Sequence, residues 1–379
     1  AYDHTIARGL AGTAVEYVWN VDNLPVTTAR VKVVAWYDGE VAGYDFSNGD
    51  FTISGAPHRY VSKTGANIYP YSIPAWAATS IQTAVDAAAP GDTIMVETGT
   101  YNERVSVLQA IHLLGGWSAG FAARDPDAYT TTINAGGSTV SFVQVAGACG
   151  IEGFRITGGT GTEQMLPELG VYGGGIFSYD ASPAIRNNVI ASCGYVGHSS
   201  YSAGGGIACY LGDVVIEENT IDGSRAQSGG GVYLYQASAA VSGNTISGSE
   251  PHAEYSGARR GGGLYARNAT ATLSGNVISG NSGYNDGAGI YAWKSTLELD
   301  GDSIVSNTAL SDGGGVMCER SPLSARRVVI SGNSAGSTGG GIYHYAASLE
   351  VANSLVALNA ASMTAGGVYA DSAWGGIEN

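Results

Sequence analysis

Residues 229–249 read GGGVYLYQASAAVSGNTISGS, and close variants of that stretch recur along the second half of the chain. Aligned on the last glycine of each GGG or variant triplet, the motif falls at Gly175, Gly206, Gly231, Gly263, Gly289, Gly315, Gly341 and Gly367. The spacings are 31, 25, 32, 26, 26, 26 and 26 residues. A period near 26 marks a solenoid, whose units bury apolar surface only by stacking on one another. Within each unit the apolar residues alternate, as in VYLY, IYAW, AAVSGNTI and ATLSGNVI. A period of two is a strand period, and no part of the repeat has a helical face. Strands that recur once per turn pair in parallel with the next turn. The predicted architecture is all-β, a parallel β-helix with about 26 residues per coil.

The asparagines follow the same period. Asn188, Asn219, Asn244 and Asn276 share one repeat position, continued by Asp302, Val328 and Ser354, and a second column holds Asn281, Asn307, Asn333 and Asn359. Asn tolerates the left-handed backbone of a tight turn, and stacked amides can hydrogen-bond from coil to coil. These columns are read as structural. Arg186 with Glu217, and Asp300 with Arg326, stack as opposite charges on adjacent coils. Asp286 and Asp312 stack with like charge, which makes them the weak candidates for a bound calcium ion. No other metal or cofactor is expected.

The chain has 379 residues and a net charge of −15, with only 3 Lys beside 14 Arg. Nucleic acid and anionic membranes are poor partners for such a surface, because the phosphate contribution is repulsive. No apolar run is long enough for a bilayer-spanning helix, so membrane insertion is not expected. Cys149, Cys193, Cys209 and Cys318 have neither metal-ligand spacing nor a shared repeat position, and are read as buried apolar groups. The first residues, AYDHTIARGL, lack a Met, which points to a mature piece of an exported protein.

Residues 74–89 differ in pattern: Ala77, Ile81, Ala84, Val85 and Ala88 form a helical stripe ended by Pro90-Gly91. This predicts an amphipathic helix that caps the first coil and covers its open edge. The segments DTIMVETGTYNERVSV and IHLLGGW then read as the first rungs. The run from YVSKTG through SIQTAVDAAAPGDTIMVETGTYNERV, LLGGW, RDPDAYTTTI and IEGFRITGG resembles exported right-handed parallel β-helix repeat proteins. That superfamily is pectate-lyase-like and includes polymorphic outer-membrane and adhesin-like proteins. The likeness covers about 320 residues, counting the coils that follow. It implies a right-handed solenoid over residues 57–379, with regular coils from 173, and an extracellular or cell-surface setting. It implies no single activity. Neither the NTD…DD…HG…RIK series of polygalacturonases nor the WIDH segment of common pectate lyases is present. Residues 1–56 carry three strand-like runs, EYVWNV, ARVKVVAWYDG and DFSNGDFTIS, and resemble the end of an immunoglobulin-like or fibronectin-like module. So short a sandwich is incomplete. The unfinished module and the uncapped last coil predict contacts with further copies of the chain.

Alternation places two columns outside the strand that follows GGG. The first is Phe177, Ala208, Tyr233, Tyr265, Tyr291, Met317, Tyr343 and Tyr369, and the second is Tyr179, Tyr210, Tyr235, Arg267, Trp293, Glu319, Tyr345 and Asp371. A solvent-facing aromatic band two rings wide suits an extended polysaccharide or cell-surface glycan. Its competing explanation is the β-propensity and self-stacking of Tyr. His344 points inward and is read as a core residue. Inserts at one corner (161–172, 193–203 and 249–260) bring Glu163, Glu168, His198, Tyr201, Glu250, His252, Glu254, Tyr255, Arg259 and Arg260 beside this band. Two function classes fit. One is a non-catalytic extracellular protein for glycan binding, adhesion or structural assembly, favoured by the missing catalytic signatures. The other is a polysaccharide lyase or glycoside hydrolase with His198, His252, Glu254 and Arg259 as candidate catalytic groups.

Overall fold

The computed structural model describes residues 26–30, 32–37, 40–46, 51–53, 58–166, 169–195, 201–250 and 260–378. Near the N-terminus, Val26–Ala29 pairs antiparallel with Phe51–Ile53, and Lys32–Tyr37 pairs antiparallel with Glu40–Phe46. The run EYVWNV lies outside the described residues.

From His58 onward the chain winds as a parallel β-helix. A 12-stranded sheet runs from His58–Val61 to Trp374–Glu378, and two 10-stranded sheets run from Gly99–Asn102 to Leu355–Ala357 and from Val105–Val107 to Val368–Asp371. Each coil contributes one strand to each sheet, in parallel register. Inward residues stack in columns, for example Ile190, Ile221, Ile246, Ile278, Ile304 and Ile330, all fully buried. The expected first rungs are present as Thr93–Glu97, Gly99–Asn102, Val105–Val107 and His112–Trp117.

The cap is shorter than the stripe predicted. A single 3-10 turn spans Pro74–Trp76, Ala78 then bridges Val61 as extended chain, and the helix α1 covers Ile81–Ala87. Ile81, Ala84 and Val85 are buried on the first coil. Both helix ends are capped from the coil below: the Glu103 carboxylate accepts from the amides of Ile81 and Gln82 (2.9 Å each) and the Ser80 hydroxyl (2.7 Å). The Gln109 amide donates to the carbonyls of Val85 and Ala88. These are the orphan groups every helix leaves unpaired.

The glycine triplet serves stacking at a corner. Gly229 has φ +59, and its counterparts Gly261, Gly287, Gly313 and Gly339 are likewise left-handed. Gly231 is constrained by closeness instead: a Cβ there would lie 2.6 Å from the Gly263 carbonyl oxygen and 2.7 Å from Ile246 Cγ2. The amides of Gly229, Gly230 and Gly231 therefore reach the carbonyls of Arg260, Gly261 and Gly262 at 3.0–3.1 Å.

The asparagine columns point inward and form amide ladders. Asn244 Nδ2 donates to Asn276 Oδ1 (2.9 Å) and the Ile216 carbonyl (2.8 Å), while Asn244 Oδ1 accepts from the backbone and side-chain nitrogens of Asn219. The second column repeats this from Asn281 to Asn359. The left-handed residue is the one before: Asn187, Glu218, Gly243 and Gly275 in the first column. The ladder thus corrects the expectation that the asparagines themselves make the turn. Arg186 pairs with Glu217 at 2.8 Å as expected, but Asp300 takes Arg327, because Arg326 reaches the other way to Glu350. The four cysteines are buried and free. Burial pushes the thiols of Cys149 and Cys193 up to about 11 and that of Cys209 to about 12. His344 is fully buried, its Nε2 3.2 Å from the Ser321 carbonyl oxygen, and burial lowers its pKa.

The first ladder ends at Asp302, fully buried, which accepts from Asn276 N (2.8 Å), Asn276 Nδ2 (2.7 Å) and Asp300 N (3.0 Å). Burial raises its pKa above the ordinary 3.8, against the pull of those donors. A folded value above the unfolded one means that ionised Asp302 costs the native state stability. That cost is relieved as pH falls through the folded value toward the unfolded one. Carboxyl NMR titration is expected to place its midpoint above 3.8, and a midpoint at or below that would mean that the amide donors outweigh burial.

Candidate functional site

Strands of one 10-stranded sheet carry both aromatic columns. In register, Tyr233 stands beside Tyr265, then Tyr291, then Met317, while Tyr235 stands beside Arg267, then Trp293, then Glu319 and Tyr345. The expected band was solvent-facing and two rings wide, and the first column corrects it. Phe177, Tyr233, Tyr265 and Tyr291 are 5% exposed or less, and so is Tyr210 of the second column.

The physical reason is a second small core outside the solenoid barrel. Tyr172 and Ala203, from a sheet of Thr162–Met165, Leu169–Tyr172 and Tyr201–Ala203, pack on these rings. Neighbouring rings meet edge to face: Tyr172–Tyr210 at 4.9 Å, Tyr233–Tyr265 at 5.2 Å and Tyr265–Tyr291 at 4.8 Å. Such pairs stabilise beyond their buried area. Burial also holds the hydroxyls of Tyr210, Tyr233, Tyr265 and Tyr291 well above the ordinary phenol range, so these rings stay neutral. Their role is packing.

What reaches solvent is narrower. Tyr179, Tyr235, Trp293, Tyr343 and Tyr345 are half-buried. In the second column, accessible rings fall on every other coil: Tyr179, then Tyr235, then Trp293, then Tyr345. Arg267 lies between two of them, 5.5 Å from the Tyr235 ring and 5.3 Å from the Trp293 ring, and Lys294 Nζ sits 4.4 Å from Trp293. Cations thus lie against these rings. Neither the clamping by Arg267 nor the alternate-coil spacing was anticipated. Both were legible once the second column was written out in register.

The charged groups beside the band are engaged. Arg260 lies 5.2 Å from the Tyr291 ring and pairs with Asp286 at 3.5 Å. The Tyr291 hydroxyl donates to Glu319 Oε2 at 2.9 Å. The stacked aspartates have protein partners: Asp312 Oδ1 accepts from the amide of Thr338 at 2.9 Å, and Asp286 pairs with Arg260. Burial raises the Asp286 pKa, with Arg260 pulling the other way. Among the described residues no three His, Cys, Asp or Glu groups gather as a metal site. Of the insert residues, Glu163 is exposed, Tyr201 is half-buried against the aromatic core, and Glu250 pairs with Arg225. Glu168, His198, His252, Glu254, Tyr255 and Arg259 lie outside the described residues.

Buried and accessible rings are expected to separate on substitution. Tyr291→Ala should cost about 3–5 kcal/mol, as for a large buried aromatic, and Tyr345→Ala under about 1 kcal/mol. Thermal unfolding followed by circular dichroism measures both, and equal losses would contradict the division.

No curated protein sequence matches the chain. Among solved structures, the mannuronan C-5 epimerase AlgE6 A-module of Azotobacter vinelandii is similar over 79% of this chain and 94% of that one, at 11% identity and a TM-score of 0.27. The family model described as "Right handed beta helix region" matches residues 132–373, most of the coils built above. The chain belongs to the right-handed parallel β-helix family.

Proposed function

We propose that this is a non-catalytic, exported β-helix protein that recognises an extended glycan along the outer column of its aromatic sheet. The observation that carries the reading is the recurrence of accessible rings on alternate coils at Tyr179, Tyr235, Trp293 and Tyr345. Two coils at the parallel-strand spacing give a repeat of about 10 Å. An extended polysaccharide with two-fold screw symmetry presents the same face at every second sugar, at a comparable repeat. Because Arg267 and Lys294 lie against Tyr235 and Trp293, contact at these two is made chiefly through ring edges, the Tyr235 hydroxyl and the Arg267 guanidinium, all suited to sugar hydroxyls. The buried rings beneath hold this column in place. Export, a cell-surface location and a role in adhesion or structural assembly are parts of the same proposal.

The test is binding to a panel of neutral and acidic polysaccharides, with the glycan sized afterwards, for the parent and for Tyr235→Ala and Trp293→Ala. Intact glycan should be retained by the parent, with affinity lost by about tenfold or more in each variant. Shortened glycan would instead establish a lyase or hydrolase. Absence of binding would leave the rings with packing alone.

A further inference from the structure

The aromatic sheet also has an inward face, and a basic side chain stands on it. In register, the inward column runs Leu234, Ala266, Ala292, Cys318, His344 and Ala370. Where the other coils place an aliphatic side chain or a thiol, His344 places an imidazole with no exposed surface. A carbonyl oxygen only accepts, so the ring nitrogen 3.2 Å from the Ser321 carbonyl, Nε2, carries the proton. The Nδ1 lone pair is then buried and has no hydrogen bond. Nothing around the ring supplies a counter-charge. On the neighbouring strands of its sheet, Cys318 and Ala370 point inward while Glu319 and Asp371 lie on the outer side. Burial keeps the Cys318 thiol neutral. Of the 12-stranded sheet, Leu323–Arg326 and Ser348–Ala352 turn leucines inward and Arg326 and Glu350 outward. Val329–Ser331 and Leu355–Ala357 carry no ionisable residue.

We propose that His344 is an acid-sensitive latch: the neutral ring lets residues 342–378 stay wound on the solenoid, and its protonation releases them. Release gives the imidazolium the water that the closed barrel denies it. It is cheapest where burial is least, and a solenoid winding is held only by its neighbours. The windings around His344 meet that condition. Val356 and Val368 are only half-buried, whereas Ile330 and Val316 before them in the same columns are fully buried. The direction of the response follows from the same burial, which holds the folded value below the ordinary 6.5 against the backbone of Ser321 and Ser348. The closed state is therefore fully favoured above 6.5 and loses ground as pH falls from there to the folded value. Asp302 responds in the opposite sense, since acid relieves its cost, so the loss is local to the windings that His344 holds. Tyr345 stands on the released strand. On the reading of the accessible rings given above, release also removes the Tyr345 ring from the glycan-binding column.

Hydrogen exchange of the whole chain, read peptide by peptide by mass spectrometry and corrected for the intrinsic effect of pH, tests this between about pH 7.5 and about pH 5, where histidine titrates. No glycan is added, so the outcome does not depend on the glycan reading. Protection across 342–378 should fall by about tenfold or more toward the acid end, while protection across 207–247 is kept. His344→Leu, which repeats the Leu234 of the same column, and the uncharged polar variant His344→Gln should both abolish the fall, with circular dichroism to check that they fold. In the parent, NMR titration of the His344 ring should give a midpoint below 6.5. Unchanged protection over this range, a fall shared by all coils, an equal fall in the folded variants, or a ring midpoint at or above 6.5 would each overturn the proposal.

Discussion

Each coil of this molecule must hydrogen-bond its neighbour at the corners as well as along the strands, and the remaining structure follows from that requirement. A strand edge satisfies itself by pairing in register, but a turn exposes amides and carbonyls that have no such partner. Two devices meet the need. At one corner, glycines remove every side chain that would hold the coils apart, so the backbone ladder continues through Gly229, Gly230 and Gly231. At two others, a buried asparagine side chain fills the gap. Asn244 joins Asn219, Asn276, Ile216 and Ser242 through one amide group. An asparagine is suited to this because it both donates and accepts. An interior lined this way is filled by aliphatic columns and amide ladders.

The outer faces divide the work. One sheet bears aromatic rings in two columns, and the small extra sheet over its first column turns half of those rings into a second core. The accessible half is narrow: Tyr235 is braced by the buried Tyr210 and by Arg267, and Trp293 by Arg267 and Lys294. A second sheet, with its adjoining corner, bears the Arg186–Glu217, Arg326–Glu350 and Asp300–Arg327 pairs. The third bears neither from Thr245–Ser247 to Leu355–Ala357. A solenoid repeats whatever its unit specifies, so each face acquires one chemical character for its whole length. This is how one repeating unit gives the three sheets outer faces of different character.

Much of the fold was legible from period alone. The spacing of Gly231, Gly263 and Gly289 and the alternation in VYLY and IYAW led to parallel coils, and the buried Ile246, Ile278 and Ile304 stand where alternation put them. Three features were not legible, for local physical reasons. The cap helix shortened to Ile81–Ala87 because Ala78 was claimed by a bridge to Val61, a tertiary contact that outweighs helical periodicity. The left-handed residue moved from Asn244 to Gly243, since an inward amide serves the ladder better than it serves the turn. Alternation also assigned Tyr233 and Tyr291 to the outside correctly, yet outside the barrel did not mean in solvent. Which side of a strand a residue occupies is local information, whereas what lies over it depends on distant segments: Tyr172 and Ala203, from strands of the inserts, join the same aromatic cluster, and Arg260 lies over the Tyr291 ring.

The central claim is that buried asparagine amides, together with the glycine corner, hold the coils in register. Replacing Asn244 by Ala tests it most directly, read by thermal unfolding and by hydrogen exchange at the Asn219 amide, which donates to Asn244 Oδ1 at 2.8 Å. Leaving this many buried groups unpaired should cost about 2–4 kcal/mol, and the Asn219 amide should exchange much faster. A loss below about 1 kcal/mol with that amide still protected would show that strand pairing alone sets the register, and would contradict the account.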